Sequence, residues 1–79
     1  MMTNGEKNRI RSAIRHLEVI GSDLEALHNE KREEWIKYTV DEDEGAAMDV
    51  SREAAVIFAI LLEVRGAITK ANFVMSPLW

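Results

Sequence analysis

The chain has no cysteine, so neither a disulfide nor a thiolate metal site can hold it together. One proline and four glycines leave few points where a regular element must break. Aromatic residues are only 6% of the total, too few to interleave with basic residues as a stacking platform for bases. Two histidines do not make a histidine-only metal cage. No run approaches the roughly 20 apolar residues that cross a bilayer. The first residues lack the apolar core of a signal peptide, so the cytoplasm is the expected compartment and no membrane partner is expected.

Acids outnumber bases by 14 to 10, and the tetrad Asp41-Glu42-Asp43-Glu44 carries the whole net charge of −4. The other ten acids balance the ten bases. A general nucleic-acid binder would show a basic balance, so nucleic acid is not an expected partner. Catalytic patterns are absent too. There is no serine with a base and an orienting acid, no glycine-rich phosphate loop and no His-Glu-x-x-His. The expectation is a protein that is not an enzyme and carries no cofactor.

Helical periodicity is the positive signal. Ile10, Ala13, Ile14, Leu17, Ile20, Leu24, Leu27, Trp35 and Tyr38 recur in steps of three and four, which places them on one stripe. Thr3 or Asn4 is a suitable cap. The spacing predicts a helix over about 5–38, an acidic loop over 39–49, a second helix over about 51–71 and an apolar tail over 72–79. Asp49 or Ser51 would cap the second helix. Gly21-Ser22-Asp23-Leu24-Glu25 carries a capping-box pattern that would kink or break the first helix. The stripe keeps its phase across Gly21, which favours continuity. Lys31 falls near the middle of that stripe, which argues for a compact bundle over a long coiled coil.

The second helix holds nine consecutive apolar residues, Ala54 to Leu62. On a helical wheel only Arg52, Ala59, Glu63, Gly66 and Lys70 share a narrow wet face. The apolar arc is roughly 240° wide, against ~100° for a helix with one wet side. One neighbouring helix covers about half of that. The expected fold is all-α: an antiparallel helical hairpin that dimerises into a four-helix bundle. Ile57, Phe58, Leu61, Leu62 and Arg65 are the expected dimer interface, with Arg65 paired to a carboxylate.

Four further features have spacing that suits a site. Trp35, Phe73 and Trp79 are candidate anchors for another protein, with Asp41, Glu42, Asp43 and Glu44 as its electrostatic contact. A small inhibitor of a nucleic-acid-handling complex, with the acidic loop in a basic site, is one form of this reading. Glu25 and His28 have the Glu-x-x-His spacing of ferritin-like di-iron bundles, with Glu53 or Glu63 as extra carboxylates. Lys7, Arg11 and Arg15, with Arg9 nearby, form a basic stripe that suits phosphates or the acidic loop of a second protomer. A hairpin with a tryptophan near its turn also resembles the small secreted WXG-type proteins, but Ile36-Lys37 follows Trp35 where that family has its glycine. The expected function is a non-enzymatic interaction or regulatory module, homodimeric, docking on another protein.

Overall fold

The computed structural model describes residues 2–76 and consists of two helices, α1 (Asn4–Val40) and α2 (Glu44–Val74), packed side by side. Each start has its own chemistry. The Thr3 hydroxyl accepts from the Glu6 N–H at 3.1 Å, and the Glu6 carboxylate accepts from the Thr3 N–H at 2.9 Å. This reciprocal capping box satisfies two donors that the first turn would leave open. The bonds from Thr3 hold the Glu6 carboxyl below the ordinary carboxylate range. Asp43 caps α2 by accepting from the Ala46 N–H at 3.1 Å.

The connection is much shorter than the eleven-residue loop expected. Only Asp41, Glu42 and Asp43 separate the helices, and residues 44–50 are already helical. Asp43 is therefore the cap, in place of Asp49 or Ser51. The chain reverses through a Schellman arrangement. The Asp43 N–H donates to the Tyr38 carbonyl at 2.9 Å, and the Glu42 N–H to the Thr39 carbonyl at 3.2 Å. Glu42 takes the left-handed position usually given to glycine, with φ of 58°. Gly45, the glycine in the expected loop, lies inside α2.

α1 runs unbroken through Gly21. A side chain there would meet Val64 Cγ1 at 3.7 Å and Leu61 Cδ1 at 3.9 Å, so the glycine sits where the two helices approach. The less exposed positions follow a heptad in both helices. In α1 they are Lys7, Ile10, Ile14, Leu17, Gly21, Leu24, His28, Lys31 and Tyr38. In α2 and its C-cap they are Ala47, Val50, Ala54, Ile57, Leu61, Val64, Ile68, Ala71 and Met75, with Ala46 and Val74 half-buried just before the first and last of them. Lys31 does not end this seam. Its ammonium reaches across to Glu53 at 2.8 Å and along its own helix to Glu34 at 3.3 Å. A charge that both partners satisfy can occupy a seam position.

The result is a rod of 58 × 16 × 14 Å with a radius of gyration of 17.7 Å. A compact chain of this length would have about 12 Å. Only Ile14, Val50 and Leu61 are buried hydrophobics among the described residues. No helix among the described residues is long and apolar enough to cross a membrane.

Candidate interaction surfaces

With the seam positions lettered a and d, the two flanks of the rod differ in kind. Residues just before each a position are g, and those just after each d position are e. The antiparallel packing sets e beside e and g beside g. On the e side the Arg65 guanidinium donates to the Glu25 carboxylate at 2.6 Å. Beside it, the His28 and Phe58 rings lie with centroids 5.5 Å apart and planes at 39°. On the g side Leu27, Lys31, Arg52, Glu53, Val56 and Ile57 line an open groove of about 470 Å³.

The expected dimer-interface residues divide between the seam and the e side. Leu61 is 3% exposed and Ile57 half-buried, both packed in the intrachain seam, so Leu61 has no surface left for a partner. Phe58 and Leu62 remain exposed. Arg65 has the carboxylate partner expected of it, Glu25, but the pair is at the surface, with both side chains at least half exposed.

Of the expected docking residues, Trp35 and the acidic residues share one end of the rod. Trp35 is 44% exposed. It lies about 9 Å along the helix from Asp41 at 1.5 Å per residue. Between them Tyr38, Thr39, Glu42, Asp43, Glu44 and Ala47 line an open cleft of about 420 Å³. Phe73 is exposed at the other end, more than about 30 Å away along the axis. The structure therefore does not bring Trp35 and Phe73 into one patch. Trp79 lies outside the described residues.

Glu25 and His28 each have a partner in α2. Glu25 is engaged by Arg65, and the His28 ring stacks against Phe58. Among the described residues no group of three or more histidines, aspartates or glutamates stands close enough to hold a metal ion. Lys7, Arg11 and Arg15 lie on the first half of α1, where Arg11 donates to Asn8 at 2.8 Å.

Comparison of the chain with protein-family models, curated proteins and solved structures returned no match. The candidate surfaces therefore rest on geometry and charge alone.

The structure adds residues that the composition of single segments did not single out. Val56 and Ile60 of α2 stand exposed on the g side, and Ile20 and Leu27, which the spacing put on the apolar stripe of α1, stand exposed beside them. The signal was present as a seven-residue repeat, Ala13–Ile20–Leu27 in α1 and Ile60–Ala67–Val74 in α2. It becomes visible only once the antiparallel register sets the two repeats side by side.

Proposed function

We propose that this protein is a non-enzymatic interaction module that works as a homodimeric four-helix bundle and docks on another protein. The observation that carries the reading is the surface left outside the two-helix seam. The chain exposes 6206 Å². A compact monomer of 9.0 kDa would expose about 4,850 Å² by the usual scaling with mass. The difference, about 1,350 Å² per chain, exceeds the roughly 800 Å² that each partner gives to a standard interface. Much of it is apolar, including Val56, Ile60, Phe58 and Leu62. Such residues gain by leaving water, at about 25 cal/mol for each Å² covered.

The end of the rod around the turn is the docking end. Trp35 supplies an aromatic anchor, and Asp41 to Glu44 supply negative charge beside the cleft next to Tyr38. This pairing favours a partner with a basic surface, the chemistry that a nucleic-acid-handling protein also presents.

The test uses two measurements on the full chain. Light scattering at micromolar concentration is expected to give twice the 9.0 kDa chain mass, and the monomer mass would overturn the dimer. A short amphipathic lysine-leucine peptide then serves as the basic probe in an NMR titration. Shifts are expected at the Trp35 indole and residues 38–47, and should vanish when Asp41, Glu42 and Glu44 are changed to Lys. Shifts spread along the whole rod, or surviving that charge reversal, would overturn the docking end.

A further inference from the structure

We propose that the g side of the rod is the seat of the second copy, with the two hairpins antiparallel and their two-fold axis at Ile20. The proposal rests on the dimer read above and assigns its face and orientation. A helix that serves only a two-stranded coil needs apolar residues at a and d, whereas one in a bundle carries a third apolar position at e or g. Both helices here carry it at g over the middle of the rod: Ala13, Ile20 and Leu27 in α1, Ile60, Ala67 and Val74 in α2, with Glu6, Glu34 and Glu53 closing the line toward its ends. The e positions are instead mostly charged or polar, with Arg11, Glu18, Glu25 and Arg32 in α1 and Ser51, Arg65 and Asn72 in α2, and Phe58 as the apolar exception. Because g lies beside g, the two apolar lines form one platform, and Val56 and Leu27 already border its open groove.

Charge and side-chain size identify the occupant as another copy and set its direction. The half of the rod at the termini, residues 4–20 and 63–76, holds six bases against three acids. The half at the turn, residues 21–62, holds eleven acids against four bases. Antiparallel hairpins lay the acidic half of each copy on the basic half of the other, whereas parallel ones stack like on like. The platform also steps from small to large along α1, Ala13 to Leu27, and from Ala67 to Ile60 in α2, with Val74 beyond Ala67. A two-fold axis at Ile20, midway between Ala13 and Leu27, sets Leu27 of one copy over Ala13 of the other and Ile60 near Ala67, with Val56 facing Val74 and Glu6 facing Glu34 at the rim.

The absence of native cysteine makes single-cysteine cross-linking direct. Four variants, Ala13→Cys, Ile20→Cys, Leu27→Cys and Leu62→Cys, are treated with a short bis-maleimide after circular dichroism shows that each keeps its helicity. The expected result is a covalent dimer from Ile20→Cys alone. Leu27→Cys should link only when mixed with Ala13→Cys, and Leu62→Cys should stay monomeric on a denaturing gel. Efficient linking of Leu27→Cys to itself overturns the antiparallel orientation. A dimer by light scattering that links through Leu62→Cys and not Ile20→Cys overturns the face and leaves self-association standing. A monomer by light scattering overturns both. Added salt should raise the dissociation constant severalfold, and an unchanged constant overturns the charge argument for orientation.

Discussion

Changing Gly21 to Ala tests how closely the helices approach. In a helix interior glycine is about 1 kcal/mol less favourable than alanine. At Gly21 the new methyl group would stand 3.7 Å from Val64 Cγ1 and 3.9 Å from Leu61 Cδ1, ordinary contact distances that need no movement. Partial burial of that methyl adds a fraction of the ~0.8 kcal/mol that a fully buried one contributes. Gly21→Ala should therefore stabilise by about 1–1.5 kcal/mol. Gly66 is the internal control. It has no atom within 4 Å of the same construction, so Gly66→Ala should give only the propensity part, about 1 kcal/mol. For a chain of this length, 1 kcal/mol corresponds to about 6 °C in Tm. The assay is thermal unfolding followed by circular dichroism, with every variant at one protein concentration because self-association shifts Tm. If Gly66→Ala stabilises and Gly21→Ala destabilises, the helices pack more tightly than drawn, and the seam register at Gly21 is wrong.

Leu61→Ala removes the most deeply buried side chain and should cost about 2–4 kcal/mol, read by denaturant unfolding; a loss below about 1 would contradict its place in the seam. Arg65→Gln breaks an ion pair whose side chains are 50% and 58% exposed, so stability should change by less than about 1 kcal/mol, and a larger loss would mean the pair is buried by an assembly. Lys31 titrates above the ordinary lysine value because of its hydrogen bond to Glu53 and then that to Glu34. Its contribution is thus complete below that ordinary value and disappears as pH rises through the raised one. Unfolding midpoints should fall in strong alkali, and less so in Lys31→Met. Glu6 is shifted the other way, so its contribution is present above the ordinary carboxylate value and disappears as pH falls through the lowered one. Protection in the first turn, as exchange normalised to the intrinsic rate at each pH, should fall in acid, and a pH-independent ratio against Glu6→Ala would refute this.

The two helices were legible because their apolar residues keep a strict spacing and only Pro77 forbids continuation. The turn was not. Four adjacent acids and a glycine read as a loop by propensity, yet Asp43 and Glu44 suit a helix start, where negative charge meets the positive end of the dipole. Tertiary pairing then carries the helix back through residues 44–50, which no local pattern announces. Lys31 misled for a related reason. A lysine looks disruptive in an apolar stripe until its partner is known, and Glu53 lies 22 positions away in the chain. The apolar excess of α2 was legible as a need for more cover than α1 gives. Which flank needs it was not, because the g-side platform belongs to both helices at once and appears only when they are set antiparallel. The acidic end and Trp35 were legible as features, but their distance from Phe73 follows from the length of the rod.

The reversal between the helices depends on the left-handed backbone of Glu42, which costs a non-glycine residue roughly 1–2 kcal/mol. In the right-handed region the same residue would join α1 and α2 into one rod spanning residues 4–74, about 100 Å long at 1.5 Å per residue. Every seam contact now made within a chain would then be available only between chains. The hairpin and this exchanged form would share nearly the same interior and differ mainly at the backbone of Glu42 and of Asp43, whose ψ is now 84°. Glutamate where glycine fits best therefore narrows the gap between the two topologies by about 1–2 kcal/mol, and a higher protein concentration would favour the exchanged one. Glu42→Gly should hold the chain closed, and Glu42→Ala should favour strand exchange, visible in small-angle scattering as a particle about 100 Å long.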